Sequence, residues 1–319
     1  MDKGLNRSNW FDCNVSKIKY GKLNILSGAL RIAITSKCNM ACVYCHREGC
    51  ISDNTLSREQ IIGIVERSMN YGVRSVRLTG GEPTIHPEIT DICREIKTRF
   101  PNISFEINSN IIEIETILNL ISHGWLDSVA VGLDFYDRKV SKDSPTGIPS
   151  AKVLNSVLRI NETGCNVSIT NVYNGDLDNI TKLAYWCRDN KIFLRILEKI
   201  DDVIADEPTG EYIIMAKHII KELGLTMNYQ RTKDRYYGTF PGGERNKGIY
   251  FFISHCRLRE CELCKTRYFK VSNEGKTQSC LFPNTPQFSL LDFENFDINF
   301  RKALCYHCIP PERNTEVIE

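Results

Sequence analysis

Six short apolar segments alternate with amphipathic segments between residues 30 and 196, and this alternation restricts the chain to a few folds. The apolar segments predict strands, at 30–35, 75–78, 103–107, 128–132, 167–172 and 192–196. The segments between them predict helices, at 58–71, 87–100, 112–122, 150–163 and 177–190. Strands that alternate with helices form parallel sheets, so we predict an α/β fold, either doubly wound or curled into a partial (β/α)6 TIM-like barrel.

The alternation stops near residue 200. One more helix is predicted at 211–223, residues 233–248 are rich in glycine and charge and predict a loop, and cysteines dominate from His255 onward. We therefore predict an N-terminal lead-in at 1–28, an α/β domain at 29–200 and a cysteine-rich C-terminal extension at 201–319.

The 14 cysteines are clustered, which is typical of metal or iron–sulfur ligands rather than of a disulfide framework. The scattered cysteines Cys13, Cys93, Cys165 and Cys187 are expected to be ordinary small buried or half-buried residues. The formal charge of +2 gives no reason to expect nucleic-acid binding. No apolar run predicts a membrane span and no signal-peptide pattern is visible, so we expect a cytoplasmic protein without a membrane partner.

The first cysteine cluster has the pattern Cys38-x3-Cys42-x2-Cys45 and follows the first predicted strand. Three thiolates in a tight loop can bind three irons of a [4Fe–4S] cluster and leave the fourth iron open to a small ligand. Two alternatives are redox thiols and a closed zinc site, for which His46 or Cys50 could supply the fourth ligand.

The run Gly80-Gly81-Glu82-Pro83 follows the second predicted strand. The glycines leave backbone N–H and C=O groups open to close approach, and a carboxylate can accept a hydrogen bond from an ammonium group. Parallel sheets place their sites at the carboxyl ends of the strands, so this loop and the cysteine loop are expected at one edge.

A second cysteine cluster lies near the C-terminus, where Cys261-x2-Cys264 is followed by Cys280. The run Asn273–Lys276 predicts a hairpin turn that returns Cys280 towards the pair. These thiols could bind a second cluster with one open iron, or a structural zinc ion with Cys256 as fourth ligand. The role of Cys305-x2-Cys308 stays open.

The cysteine spacing, with Tyr44 before the last cysteine, resembles the radical S-adenosylmethionine (SAM) signature. From about residue 20 to 282 the chain resembles the GTP 3′,8-cyclase family, through the blocks LRIAITSKCNMACVYCHREG, SVRLTGGEPTIHPEI, VAVGLDFYD, LRILEKI and ELCKTRYFKVSNEGKTQSCLF. The resemblance implies a radical SAM partial barrel with a C-terminal iron–sulfur extension. It implies that SAM binds the first [4Fe–4S] cluster, that a reducing electron donor drives its cleavage to a 5′-deoxyadenosyl radical, and that substrate binds an auxiliary [4Fe–4S] cluster.

The resemblance also implies roles for individual residues. The expected ligands of the SAM-binding cluster are Cys38, Cys42 and Cys45, and those of the auxiliary cluster are Cys261, Cys264 and Cys280. The expected SAM contacts are Tyr44, Gly80, Gly81, Glu82, Pro83 and Gly132. The expected substrate contacts are Arg31, Arg77, Asn108, Arg195 and Arg267.

The chain departs from the family where a triphosphate would bind. The fifth strand reads Ser168-Ile169-Thr170-Asn171 in place of a lysine, Gly132 replaces a SAM-contacting serine, and Arg267 alone represents a set of alternating arginines. We therefore predict an enzyme that abstracts hydrogen from a nucleotide or nucleoside and forms a carbon–carbon or ring bond. The alternatives are a radical SAM peptide maturase with an auxiliary cluster and a non-catalytic zinc-binding protein.

Overall fold

The computed structural model of the 319-residue chain describes residues 28–40, 45, 52–137, 149–199, 210–230, 235–241, 248–252, 269–277 and 287–306. The chain folds into two compact units. The first comprises Met1–Cys38, His46–Phe105 and Lys265–Glu319, and the second comprises Asn39–Cys45 and Glu106–Cys264. The domain boundaries predicted at residues 28/29 and 200/201 stay predictions.

The elements follow one another in the order that the alternation predicts as far as residue 198. The described strands are β1 (Ala29–Thr35), β2 (Ser75–Gly80), β3 (Ser104–Ser109), β4 (Ser128–Gly132), β5 (Asn166–Tyr173), β6 (Phe193–Glu198), β7 (Thr226–Gln230), β8 (Arg235–Thr239), β9 (Gly248–Phe252) and β10 (Phe269–Val271). The described helices are α1 (Arg58–Ser68), α2 (Ile89–Arg99), α3 (Ile114–Ser122), α4 (Ser150–Glu162), α5 (Leu177–Asp189), α6 (Gly210–Glu222) and α7 (Phe296–Tyr306).

In the first unit, β1 pairs in parallel with β2 on one side and with β10 on the other. Leu30, Ile32 and Ile34 on β1 are fully buried, because alternate side chains of a strand point to one face and here that face is the apolar core. Arg31 projects from the opposite face. The face that carries Arg31 is the polar face of this unit, although its other residues on β1 are buried as well.

Helix α1 begins as the sequence predicts. The Ser57 hydroxyl accepts from the backbone N–H of Gln60 at 3.3 Å, and the Gln60 side chain accepts from the Ser57 N–H at 2.9 Å. This reciprocal capping box satisfies two backbone donors at the helix start. The helix ends earlier than predicted, at Ser68, and a 3₁₀ turn over Met69–Tyr71 continues to Gly72. Gly72 has a φ of +77°, which favours glycine at a helix stop.

The C-terminal residues of the first unit include the predicted hairpin turn. The N–H of Gly275 donates to the carbonyl of Ser272 at 2.8 Å, and the N–H of Ser272 donates to the carbonyl of Lys276 at 2.7 Å. Asn273 is fully buried there and donates through Nδ2 to the carbonyls of Ser52 at 2.6 Å and Asn54 at 2.9 Å. Cys280, which the turn was expected to return towards the cysteine pair, lies outside the described residues.

In the second unit, the strand order is β3-β4-β5-β6-β9-β8-β7. The pairs from β3 to β9 are parallel, whereas β8 pairs antiparallel with both β9 and β7. The predicted α/β fold with a mostly parallel sheet is confirmed. Among the described strands, β7 pairs only with β8, so the sheet is open there.

Beyond residue 200, the helix predicted at 211–223 is present as α6, but β7, β8, β9 and β10 were not predicted. The predicted loop at 233–248 contains β8, whose five residues pair with β7 and four of them also with β9. Short strands of this kind are stabilised by neighbouring backbones rather than by their own propensity. The glycine and charged residues around β8 therefore predicted a loop where the structure has a strand.

No helix in the described part of the chain is both long enough and apolar enough to cross a lipid bilayer.

Candidate active site

The two loops that follow β1 and β2 are joined by main-chain hydrogen bonds. The N–H of Gly81 donates to the carbonyl of Thr35 at 2.7 Å, and the N–H of Glu82 donates to the carbonyl of Lys37 at 2.8 Å. Lys37 immediately precedes Cys38, which is exposed. The start of the cysteine loop is thus fixed by backbone atoms of the Gly-Gly-Glu-Pro loop, as the shared strand edge predicts.

Both glycines are required by this close approach. Gly80 has a φ of +137°, and a Cβ there would overlap the carbonyl oxygen of Thr35. A Cβ on Gly81 would overlap the carbonyl oxygen of Lys37 and lie 2.6 Å from that of Ser36. Since a carbon atom cannot approach an oxygen so closely, a side chain at either position would push the two loops apart.

Glu82 stabilises its own loop. Its carboxylate is buried, with 1% of the residue exposed, and Oε1 accepts from the N–H of Thr84 at 3.0 Å and from its hydroxyl at 2.6 Å. These bonds cap the 3₁₀ turn over Pro83–Ile85. The expected contact between this carboxylate and the SAM amino group stays a prediction.

His86 is a satisfied structural residue rather than a ligand. It is 3% exposed, its Nδ1 accepts from the N–H of Glu88 at 3.1 Å, and its Nε2 lies 2.8 Å from the carbonyl of Leu56. An acceptor at one ring nitrogen and a donor at the other define a neutral imidazole. The ring therefore holds together the two segments that flank α1 and α2.

The cysteine motif is described at its two ends. Cys38 and Cys45 are exposed, which suits thiolates that bind an inorganic cluster, whereas Cys42 and Tyr44 lie outside the described residues. In the second unit, Nδ2 of Asn110 donates to Oδ1 of Asn39 at 2.7 Å. Asn39 follows Cys38 directly, so this bond holds the loop just beyond the first thiol.

In the first unit, two of the predicted substrate residues are neighbours. Arg31 on β1 and Arg77 on β2 are register partners across the parallel pair. Nη2 of Arg31 lies 3.5 Å from the hydroxyl of Thr79, which is the next residue of β2 on the same face. The polar face of this unit therefore presents two guanidinium groups.

In the second unit, the polar face combines Asn108 and Arg195 with a carboxylate that the sequence analysis did not single out. Oε2 of Glu106 lies 3.8 Å from Nη2 of Arg195 and accepts from the hydroxyl of Ser128 at 3.1 Å. Oδ1 of Asn108 is buried and has no hydrogen-bond donor within the described ranges. Such an acceptor costs about 1–3 kcal/mol when it is not satisfied, so it is a natural place for a ligand donor.

Glu106 and Asn110 could have been found from the strand pattern. In the stretch 104–110, Phe105, Ile107 and Ser109 are buried, and the polar residues alternate with them. A period of two places Glu106, Asn108 and Asn110 on the opposite face. The alternation that predicts the strand therefore also predicts which polar residues share its open face.

The remaining predicted site residues fall into two groups. Gly132 ends β4 and is exposed, and a Cβ there would meet nothing within 4 Å in the described part of the chain. Arg267, Cys261, Cys264 and Cys280 lie outside the described residues. Their assignment to substrate and to an auxiliary cluster stays a prediction.

Three scattered cysteines are buried or half-buried, as expected, and Cys13 lies outside the described residues. Cys93 on α2 and Cys187 on α5 are fully buried, and burial raises the pKa of both thiols far above the ordinary value. Burial, with a smaller contribution from the negative charge of Asp127, raises the pKa of Cys165 to about 12. Thiols of this kind are poor nucleophiles and poor metal ligands at neutral pH.

Sequence comparison agrees with the site. Residues 32–183 match the radical SAM superfamily. A probable GTP 3′,8-cyclase of Pyrococcus abyssi is 33% identical over 251 residues, which are 77% of this chain and 72% of that protein. A GTP 3′,8-cyclase of Limosilactobacillus fermentum is 25% identical over 312 residues, which are 89% of each chain. The chain therefore belongs to the radical SAM superfamily, and its named relatives are GTP 3′,8-cyclases.

Solved structures share the fold. Streptococcus suis SuiB bound to the precursor peptide SuiA superposes with a TM-score of 0.65 at 15% identity, over 92% of this chain and 66% of that one. The enzyme anSMEcpe with bound AdoMet gives a TM-score of 0.61 at 15% identity, over 88% and 80%. The chain thus spans about two thirds of SuiB. This protein is a radical SAM enzyme, and its family implies a [4Fe–4S] cluster and SAM.

Proposed function

We propose that this radical SAM enzyme acts on a nucleotide or nucleoside, abstracting hydrogen from it and forming a carbon–carbon or ring bond in the manner of a GTP 3′,8-cyclase. The observation that carries the proposal is the main-chain junction between Gly81 and Glu82 on one loop and Thr35 and Lys37 on the other. It holds Lys37, the residue before the first thiol of the cysteine motif, against a glycine loop with close backbone access. The substrate class is supported instead by the GTP 3′,8-cyclase relatives.

In this proposal, Cys38, Cys42 and Cys45 hold the [4Fe–4S] cluster. When bound, the reduced cluster supplies the electron that cleaves SAM to methionine and a 5′-deoxyadenosyl radical. The loop from Gly80 to Pro83, together with Tyr44 and Gly132, binds and orients SAM. Because the loop is anchored through main-chain atoms, its geometry exists before SAM arrives.

The substrate is bound by the polar faces of the strands. Arg31 and Arg77 in the first unit offer charge-assisted donors, and Asn108 and Arg195 in the second offer an amide and a further guanidinium. Arg267 is proposed as a further substrate contact. Cys261, Cys264 and Cys280 are proposed to hold an auxiliary [4Fe–4S] cluster that binds the substrate. The names of the relatives favour a nucleotide or nucleoside over a peptide.

The test is anaerobic reconstitution with iron and sulfide, followed by release of 5′-deoxyadenosine from SAM under dithionite, with and without GTP. About eight irons per chain are expected for two [4Fe–4S] clusters. Release that GTP or another nucleotide or nucleoside accelerates supports the proposal. Acceleration by a peptide and by no nucleotide or nucleoside contradicts the substrate assignment and favours a peptide maturase.

Two variants serve as controls. Cys42→Ala removes one of the three proposed cluster ligands and is expected to abolish SAM cleavage. Cys165→Ala changes a thiol outside the site, so it should leave cleavage at the wild-type rate. If zinc replaces iron in the wild type and no cleavage occurs under any condition, the cluster assignment is wrong.

A further inference from the structure

The strand face that carries Arg195 is close to electrically neutral, because its cation is paired with a carboxylate. Arg195 is the one basic residue in β3, β4, β5, β6 and β9, and its Nη2 lies 3.8 Å from Oε2 of Glu106. The two side chains are 19% and 15% exposed, so solvent screens the pair only in part. A phosphate that approached Arg195 would meet a negative charge together with the guanidinium.

The fold holds Glu106 in this position. Glu106 and Ser128 are register partners on β3 and β4, and the hydroxyl of Ser128 donates to Oε2 at 3.1 Å. On the other side, β5 places Thr170 beside Arg195 as its register partner. Threonine carries no charge, so the neighbouring strand does not offset the carboxylate.

Asn108 adds a second acceptor to the same strand. It lies two residues after Glu106, and its buried Oδ1 has no donor among the residues that the structure describes. A strand with a carboxylate and an unsatisfied amide oxygen favours ligands that bring O–H or N–H groups. The sugar and base of a nucleoside or a nucleotide carry such donors, whereas a phosphate chain at neutral pH offers almost only acceptors. This strand therefore favours the nucleoside moiety and gives the phosphates no donor.

We infer that Glu106 is a specificity-determining residue that selects an uncharged nucleoside over a nucleoside polyphosphate. The inference rests on the proposed function, since it names the substrate class of that same site. Arg31 and Arg77 keep their charges in the first unit, so the experiment isolates the contribution of Glu106 by changing it alone.

The first measurement uses inorganic tripolyphosphate as the probe. Glu106→Gln removes the charge, keeps the shape and can still accept from Ser128. Tripolyphosphate is titrated calorimetrically into the reconstituted enzyme in the presence of SAM. At low ionic strength, tripolyphosphate is expected to bind E106Q about tenfold more tightly than it binds wild type, and this difference should shrink in high salt. Equal affinity in the two proteins would overturn the inference.

The matched control is Glu115→Gln, which makes the same change of charge on a side chain that is 76% exposed. It should leave tripolyphosphate binding within about twofold of wild type, because surface charges are well screened. The double variant E106Q/R195M should lose the increase in tripolyphosphate affinity seen in E106Q, because it lacks the guanidinium of Arg195. If E106Q retains less iron than wild type, Glu106→Ala repeats the measurement with room for water in place of the carboxylate.

The second measurement compares guanosine, adenosine, cytidine and uridine with their 5′-triphosphates as activators of 5′-deoxyadenosine release. At least one nucleoside should outperform its triphosphate in wild type, and E106Q should narrow or reverse that preference. A preference for the triphosphate in wild type overturns the inference and leaves the nucleotide function standing. Failure of every nucleoside and triphosphate overturns the proposed function and this inference with it.

Discussion

Gly81 lies against the carbonyl oxygens of Ser36 and Lys37, and this contact makes it sensitive to the smallest side chain. Gly81→Ala is expected to displace the start of the cysteine loop, because the methyl group has no space. The variant should retain less iron after reconstitution and bind SAM at least about tenfold more weakly, a loss within the 1–3 kcal/mol typical of overpacking. Iron analysis and equilibrium dialysis with SAM measure both effects.

Gly210→Ala is the matched control for that substitution. A Cβ at Gly210 meets nothing within 4 Å in the described part of the chain, and the residue begins α6, where alanine is favourable. Iron content and SAM affinity should match those of wild type. A Gly81→Ala protein that behaves like the control would show that the two loops can separate without consequence.

The buried thiols make a second prediction at this scale. Burial raises the pKa of the Cys93 and Cys187 thiols, so almost none of either is thiolate at neutral pH, and the raised pKa of Cys165 has a similar effect. In cluster-free protein, iodoacetamide should modify the exposed Cys38 and Cys45 first. Mass spectrometry of digested protein should detect modified Cys93 and Cys187 only after denaturation.

The opposite order of labelling would contradict the packing of α2 and α5. Modification of Cys93 in folded protein at the rate of Cys38 would mean that this core opens readily. A urea-unfolded sample provides the control, since every thiol is then accessible and should label at a similar rate.

Some residues of the candidate site could be predicted from the sequence and others could not. The spacing of Cys38, Cys42 and Cys45 left zinc and redox thiols open, and the class of enzyme was identified by the resemblance of this motif and of the run Gly80–Pro83 to a known family. The strand pattern could have placed Glu106 on the polar face of β3, but it could not predict the pairing of Glu106 with Arg195, which is distant in sequence. Pairs of this kind depend on the register of the sheet, and a strand pattern alone does not give the register.

At the scale of elements, the turn between α5 and β6 contains a strained residue. Lys191 is exposed and has a φ of +56°, a conformation that costs a residue with a Cβ about 1–2 kcal/mol. Lys191→Gly is expected to raise the free energy of unfolding by roughly 0.5–1 kcal/mol, since the added freedom of glycine in the unfolded chain offsets part of the gain. Urea unfolding of the cluster-free variant and wild-type proteins measures this difference in the free energy of unfolding.

Lys191→Ala is the control, because alanine removes the same charge and keeps a Cβ. It should leave the free energy of unfolding within about 0.5 kcal/mol of wild type. An equal gain from alanine and glycine would assign the effect to the lost charge and not to the backbone.

The elements that were predicted have local sequence signals, whereas those that were missed are defined by strand pairing. β4 was predicted to the residue, and the first residue of α1 was predicted correctly, because a buried apolar run and a capping box are local signals. β8 and β10 are both short. β10 depends on β1, which is distant in sequence, whereas β8 pairs with β7 and β9, its neighbours along the chain. Their sequences alone resemble loops, so only the pairing identifies them.

At the scale of the whole molecule, the two cysteine groups should be separable. A variant with Cys261, Cys264 and Cys280 all changed to alanine is expected to keep about four of about eight irons, because the ligands of the first [4Fe–4S] cluster are intact. It should still cleave SAM slowly under dithionite and should lose stimulation by substrate. Iron analysis and 5′-deoxyadenosine release provide the measurements.

A variant with Cys38, Cys42 and Cys45 changed to alanine is the reciprocal control. It should also keep about four irons, and it should cleave no SAM. Unchanged iron content in the C-terminal variant would show that those thiols hold no cluster.

The pairing of β10 with β1 has a consequence for synthesis. Ile32 and Val271 are register partners, about 240 residues apart in the chain. At roughly 5–20 residues per second, a ribosome needs on the order of 10–50 s to make the residues that cover this edge of β1. During that interval the nascent chain presents an uncovered strand edge flanked by apolar residues, a feature that favours association between chains. This protein should therefore depend on chaperones while it is being translated more than it does once complete.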